Sequence, residues 1–138
     1  MTEQRNDEGP HVLYCEDEEL LATLAARQLC VLGYRVTMHG SSPEALEDFR
    51  SRPQAFDAVV TDNTMPHLSG LHLAQFMLRI RPDVPIIMVA ALGAMMNPDV
   101  VRAKGIRHLL TKPYRREELA RLLADVTRPG GAGQTAAR

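Results

Sequence analysis

Five short apolar runs punctuate this chain, at residues 11–15, 34–38, 58–61, 86–90 and 108–111, and after each comes a segment that reads as a helix. Runs of four or five residues rich in β-branched side chains read as strands. Strands that alternate with helices predict a parallel sheet covered on both faces, because each helix carries the chain back to the same edge. The first, third and fourth runs are nearly all apolar, as central strands buried on both sides must be.

The intervening segments carry helix signals. Glu16, Asp17, Glu18 and Glu19 follow the first strand, where carboxylates suit the positive end of a helix. Leu21, Ala25, Leu29 and Leu32 then fall at helical spacing, and Gly33 stops that helix. Ser42 reads as a helix cap, with Pro43 at the first position and Glu44 behind it, and this helix runs to about Arg50. Leu73, Phe76, Met77 and Ile80 make one apolar face of a third helix. Asn97, Pro98 and Asp99 open a short fourth helix that ends before Gly105, and Leu119, Leu122, Leu123 and Val126 stripe the fifth.

With 138 residues and 45% hydrophobic composition, the chain builds one domain with a full core. Residues 1–9 read as a flexible lead-in, 10–126 as the domain and 127–138 as a flexible tail rich in Gly and Ala. Glycines 130, 131 and 133 belong to that tail rather than to a nucleotide loop. A formal net charge of −1 argues against a dedicated nucleic-acid partner. The first ten residues lack the apolar centre of a signal peptide. The longest apolar run, 85–96, falls short of the roughly 18 residues of a membrane span. A cytoplasmic chain without membrane insertion is the expectation. Cys15 and Cys30 lie in apolar stretches and read as buried free thiols.

In an open parallel sheet, ligands bind outside the carboxyl ends of the strands, near the point where strand order reverses. At those ends the sequence places Glu16 and Asp17 after the first strand, Asp62 after the third, Ala90 at the end of the fourth, and Thr111 and Lys112 at the end of the fifth. Clustered carboxylates repel one another unless a cation joins them, and carboxylate oxygens with room for water suit Mg²⁺, or Mn²⁺ in its place. A lysine opposite adds a fixed positive charge. An aspartate nucleophile, a metal on one oxygen and a lysine on another suit an incoming phosphoryl group.

The acidic pair in residues 14–18, the stretch from Thr61 through Asp62, Met65 and Pro66 to Gly70, and Leu110 through Lys112 and Pro113 to Tyr114 together resemble the receiver domains of two-component response regulators. The resemblance covers residues 10 to 126. It implies a doubly wound, flavodoxin-like sheet in the order 2-1-3-4-5. It further implies that Asp62 is phosphorylated from a phosphohistidine on a sensor histidine kinase or a histidine phosphotransfer protein. By position, Asp17 is then a direct Mg²⁺ ligand beside Asp62, Glu16 an indirect one, and the Thr64 carbonyl a further ligand. Lys112 meets a phosphoryl oxygen and pairs with Asp62 at rest, and the Lys112–Pro113 bond is cis. Such a chain is a signalling domain rather than an enzyme. It acts as a single-domain regulator on a downstream protein the sequence leaves unnamed, with a homodimer left open.

Two positions depart from the family. Where it carries Thr or Ser at the end of the fourth strand, this chain has Ala90, followed by Ala91. Where it carries an aromatic residue three positions before the lysine, this chain has Leu109. The usual relay to the face of the fourth helix, fifth strand and fifth helix lacks both parts. One rival reading is a pseudo-receiver that binds partners without phosphorylation. Another is an aspartate-nucleophile phosphohydrolase, which carries an acid two residues after the nucleophile, where this chain has Thr64. The five histidines show no metal-ligand spacing and read as surface residues, with His67 beside the site. Met95 and Met96 read as packing on the core, and Arg115 and Arg116 as a solvated face.

Overall fold

The computed structural model describes residues 9–94 and 96–127. The expected flexible ends, with Gly130, Gly131 and Gly133, fall almost wholly outside that range, as does Met95. Five strands alternate with five helices: β1 His11–Cys15, α1 Glu19–Val31, β2 Arg35–His39, α2 Ser42–Ser51, β3 Ala58–Asp62, α3 Gly70–Ile80, β4 Ile86–Ala90, α4 Pro98–Ala103, β5 His108–Thr111 and α5 Arg116–Thr127. The strands form one parallel sheet in the order β2-β1-β3-β4-β5. Every residue of β1, β3 and β4 is buried, which is why those strands read as continuous apolar runs.

Alternating side chains feed two cores. On one face Leu13, Val59, Ile86 and Met88 pack against Phe49, Leu73, Met77 and Val101, from α2, α3 and α4. On the other, Val12, Tyr14, Val60 and Leu110 pack against Leu29, Leu119, Leu123 and Val126, from α1 and α5. The sheet is therefore doubly wound.

The helix ends follow local chemistry. Asn97 caps α4 by accepting the Asp99 amide at 2.8 Å, and Ser69 caps α3 by accepting the His72 amide at 3.2 Å. Gly33, at φ 103°, carries the chain out of α1 in the left-handed region, and the Tyr34 amide returns to the Leu29 carbonyl at 3.0 Å.

Several expectations shift. The cap of α2 is Ser41, whose hydroxyl accepts the Glu44 amide, so Pro43 sits at the second helical position. Ser42 is buried instead and donates to the Leu68 carbonyl at 2.7 Å. In α3, Leu73, Ala74 and Met77 form the buried face, while Phe76 is exposed under the guanidinium of Arg79. In α1 only Ala22 and Leu29 are buried; Leu21 and Leu32 face solvent with Leu20, Leu24 and Val31. Cys15 is buried and its thiol is pushed up to about 12, chiefly by burial, against hydrogen bonds from Ser42 and Thr61. Cys30 is only half-buried. His11 is a core residue rather than a surface one. Its ring nitrogen pairs with the Thr37 hydroxyl at 2.6 Å and its ring lies 4.8 Å from that of Phe56. His39 and His108 are half-buried; His67 and His72 are exposed as expected. Met96 packs against the α2–α4 core, and Arg115 and Arg116 face solvent. Among the described residues no helix is long and apolar enough to cross a membrane.

Candidate acceptor site

Strand order reverses beside β1, so the carboxyl ends of β1 and β3 stand next to each other and open onto one crevice. Parallel pairing sets Cys15 opposite Thr61 and Asp62 opposite Val89. Asp62 ends β3 and is 6% exposed, with its carboxylate turned toward the acidic pair. Glu16, Asp17 and Asp62 each bring a carboxylate oxygen to within 4.8 Å of the others. Glu16 is buried and Asp17 exposed, so the cluster has one solvated wall.

The backbone fixes these groups from several sides. The Glu16 amide donates to the His39 carbonyl at 3.0 Å, and the Glu18 amide to Glu16 Oε2 at 3.1 Å. The Asn63 amide continues the ladder to the Val89 carbonyl at 2.8 Å. The Asn63 side chain accepts the Leu71 amide at 3.1 Å and its carbonyl accepts the Gly70 amide at 2.9 Å, which folds the β3–α3 loop back onto the strand end. The Thr64 amide lies 3.4 Å from Asp62 Oδ1. Met65 is buried beneath that loop, and His67, at φ 73°, turns it in the left-handed region that His tolerates better than most residues.

Lys112 arrives from two strands away. Its amide is held by the Ala90 carbonyl at 2.8 Å, and Lys112–Pro113 is cis. Its Nζ reaches Asp62 Oδ2 at 3.3 Å and Glu16 Oε1 at 3.9 Å. Burial alone pulls the ammonium down, but the Asp62 and Glu16 carboxylates outweigh it and raise the group above its ordinary range. Glu16 is also raised: burial is the main cause, the Glu18 amide opposes it, and the Asp62 carboxylate adds to it.

The residues singled out in the sequence thus converge: Glu16, Asp17, Asp62, the Thr64 backbone and Lys112 share one crevice. Ala90 closes β4 between them, 2% exposed and opposite Thr111 in register, with a methyl where a hydroxyl would stand. Leu109 packs into the α2–α4 core. Two further groups escaped the sequence reading. Asn63 pins the loop, a role its place next to an acceptor strand end does not advertise. Tyr14 and Tyr114 approach hydroxyl to hydroxyl at 3.3 Å beside the site; a tyrosine inside an otherwise aliphatic strand was the available signal.

The donor set fits a divalent cation: hard carboxylate oxygens on one side, an opening to water at Asp17, and a surplus of negative charge that one lysine does not cancel.

Comparisons with known proteins agree with this geometry. The profile of the response regulator receiver domain family matches residues 12–124. The sensory transduction protein RegX3 of Mycobacterium tuberculosis is 38% identical over 120 residues, covering 87% of this chain and 52% of that protein. The transcription factor SKN7 of Chaetomium thermophilum is 28% identical over 123 residues, 89% of this chain and 16% of its own length. The chain therefore spans about half of the first relative and a sixth of the second. Among solved structures, a response regulator receiver domain from Clostridium thermocellum superposes with a TM-score of 0.82 at 25% identity, covering 86% of this chain and 94% of its own. The receiver domain of the sensor histidine kinase PA1611 from Pseudomonas aeruginosa superposes at 0.76 with 28% identity, covering 88% and 99%, and holds a magnesium ion in its active-site cleft. With the sheet order, the acidic crevice and the facing lysine already in place, this match shows that the chain belongs to the response regulator receiver domain family.

Proposed function

We propose that this chain is a phospho-acceptor that takes a phosphoryl group on Asp62 from a phosphohistidine, on a sensor histidine kinase or a histidine phosphotransfer protein. The observation that carries the reading is the Lys112 ammonium, 3.3 Å from Asp62 Oδ2, facing three carboxylates gathered within 4.8 Å. An Asp62 carboxylate oxygen attacks phosphorus. The O–P bond forms as the P–N bond to the donor imidazole breaks, and the electron pair leaves with that nitrogen. Lys112, kept protonated by its carboxylate neighbours, balances charge on a phosphoryl oxygen. Asp17, Asp62 and the Thr64 carbonyl would hold Mg²⁺, or Mn²⁺, with Glu16 behind them. Bound there, the ion supplies charge neutralisation between the acceptor and the incoming phosphoryl group. The domain works in the cytoplasm and passes its signal by protein contact or onward transfer, without nucleic acid of its own.

The Ala90 methyl and Leu109 favour one alternative, a pseudo-receiver that works unphosphorylated. Intact mass after incubation with Mg²⁺ and acetyl phosphate separates the two, with Asp62→Asn and a metal-chelated sample as controls. A phosphoryl-sized gain that needs both Mg²⁺ and Asp62 is the expected result. No gain, from acetyl phosphate or from a histidine-phosphorylated donor protein, leaves the pseudo-receiver. Steady release of phosphate from varied phosphate esters would instead mark a phosphohydrolase.

A further inference from the structure

We propose that the hydroxyl pair of Tyr14 and Tyr114 positions Lys112 for the acceptor reaction and carries the charge state of the acidic crevice to the cleft between α1 and α5. The proposal rests on the acceptor reading of Asp62. Tyr14 lies on β1 two residues before Glu16, is 4% exposed, and packs with Leu29, Leu119 and Leu123. Tyr114 lies two residues after Lys112. Their hydroxyls meet at 3.3 Å. Strands β3 and β4 stand between β1 and β5, so no ladder hydrogen bond joins the strand bearing the acidic pair to the loop bearing the lysine. The tyrosine pair makes that connection.

A phenylalanine at either position would fill the same space. A hydroxyl buried in an aliphatic cluster is costly unless it finds a partner, and half-buried Tyr114 supplies one to Tyr14. Burial first, then Tyr114, holds the Tyr14 phenol neutral, far above its ordinary range. A lysine has a flexible four-carbon stem, and its ammonium stays between Asp62 and Glu16 only while the turn behind it is fixed. Tyr114 is a positioning residue in that turn. Beside the pair opens a cleft of about 600 Å³ lined by Glu16, Lys112, Arg116 and Leu92 as well as both tyrosines. On the opposite face Ala90 and Leu109 supply neither a hydroxyl nor an aromatic ring, whereas the tyrosine pair gives the α1–α5 side a polar contact of its own.

The test uses Tyr14→Phe, Tyr114→Phe and the double variant. Each single change removes one hydroxyl and keeps the ring. Phosphoryl uptake from acetyl phosphate is expected to slow about 3- to 10-fold in each single variant, the range a single hydrogen bond spans. The double variant is expected to be no slower than the worse single one, because both remove the same bond. A spectroscopic arm is independent of phosphorylation. The chain has no tryptophan and three tyrosines, and the third, Tyr34, pairs with Thr127 away from the crevice. Mg²⁺ is expected to shift the near-ultraviolet tyrosine difference spectrum of the unaltered protein, and the shift to vanish in the double variant. Wild-type uptake rates in both single variants, even with a lowered melting temperature, would overturn the positioning role. A tyrosine spectrum indifferent to Mg²⁺ that binds by calorimetry would overturn the coupling. If the unaltered protein takes up no phosphoryl group, the acceptor reading fails while the Mg²⁺ titration still decides the coupling.

Discussion

Gly70 is the residue on which the acceptor loop closes, and replacing it with alanine should damage stability and site together. A Cβ built on Gly70 would lie 2.8 Å from Asn63 Cα and 3.0 Å from the Asp62 carbonyl carbon, and closer still to the Asp62 carbonyl oxygen. All three are backbone atoms, so no side chain can swing aside. Overpacking of a core costs about 1–3 kcal/mol, and a clash with fixed backbone belongs at the upper end, about 3 kcal/mol. With a urea slope of about 1–3 kcal/mol per molar for a domain this size, the unfolding midpoint should fall by about 1–3 M. The strand end that must move carries the acceptor. A displacement near 1 Å can cost about 100-fold in a positioned reaction, so phosphoryl uptake should fall at least tenfold in the protein that remains folded. Gly93→Ala is the control, since an added methyl there meets nothing within 4 Å and should change stability by less than about 0.5 kcal/mol. Equal midpoints for the two variants would refute the reasoning.

Three other changes test separate parts of the structure. Asp48 is held down to about 2, first by its hydrogen bond from Arg52, against burial, and then by His39. Its folded-state value lies below the unfolded one, so its contribution is complete above about pH 4 and lost as pH falls toward 2. Asp48→Asn should cost about 1 kcal/mol at pH 7, discounted for the half-exposed Arg52, and progressively less in urea melts run down that window. Glu16 is raised, which means the folded state prefers it neutral and is penalised as pH rises through that raised value. Glu16→Gln should therefore stabilise the metal-free protein at pH 7, with the difference gone below pH 4.5, while weakening Mg²⁺ binding about tenfold by calorimetry. Ala90→Thr restores a hydroxyl beside Asp62 and Lys112. One hydrogen bond to a charged group is worth about 1.5–3 kcal/mol, so uptake from acetyl phosphate should quicken, or the acyl phosphate persist, by at least about tenfold. An unchanged rate and lifetime would show that the hydroxyl position lies out of reach.

The order of elements and the strand-end residues were legible in the sequence because each is written locally. Residues 86–90 read as a buried strand from their own apolar run, and Asp62 and Lys112 were found by standing where such runs stop. Helix faces were less legible. The spacing of Leu21, Ala25, Leu29 and Leu32 marks a helix correctly, but α1 carries apolar residues nearly all round. Its buried side holds Ala22 and Leu29, a pair that the apolar spacing alone does not single out. Phe76 misled for a related reason: Ala74 takes the close contact in α3, and the larger ring finds a cation at the surface. His11 shows a third limit. Nothing near it in sequence says that Thr37 on the neighbouring strand will satisfy its ring nitrogen. Partners supplied by parallel pairing are invisible until register is known.

The same limit explains why the site was readable and its wiring was not. Asp62, Asp17 and Lys112 are each exceptional in their own local context, an acid or a base ending an apolar strand. Tyr14 and Tyr114 are ordinary residues until the sheet order is fixed, when they become a bridge over two intervening strands. Strand β4 lies between the acceptor and the lysine, so its last side chain decides which face of the sheet has polar contact with both. A methyl at Ala90 and an aliphatic chain at Leu109 leave the end of β4 and the middle of β5 without a polar side-chain atom on the α2–α4 side. The opposite side holds the Tyr14 and Tyr114 hydroxyls, 3.3 Å apart beside the crevice. A chain that lacks hydroxyl and aromatic at those two positions and pairs a buried phenol with a half-buried one on the other face is built to send a change of charge toward α1 and α5. Sequence comparison position by position registers only the losses; the packing shows what stands on the other side.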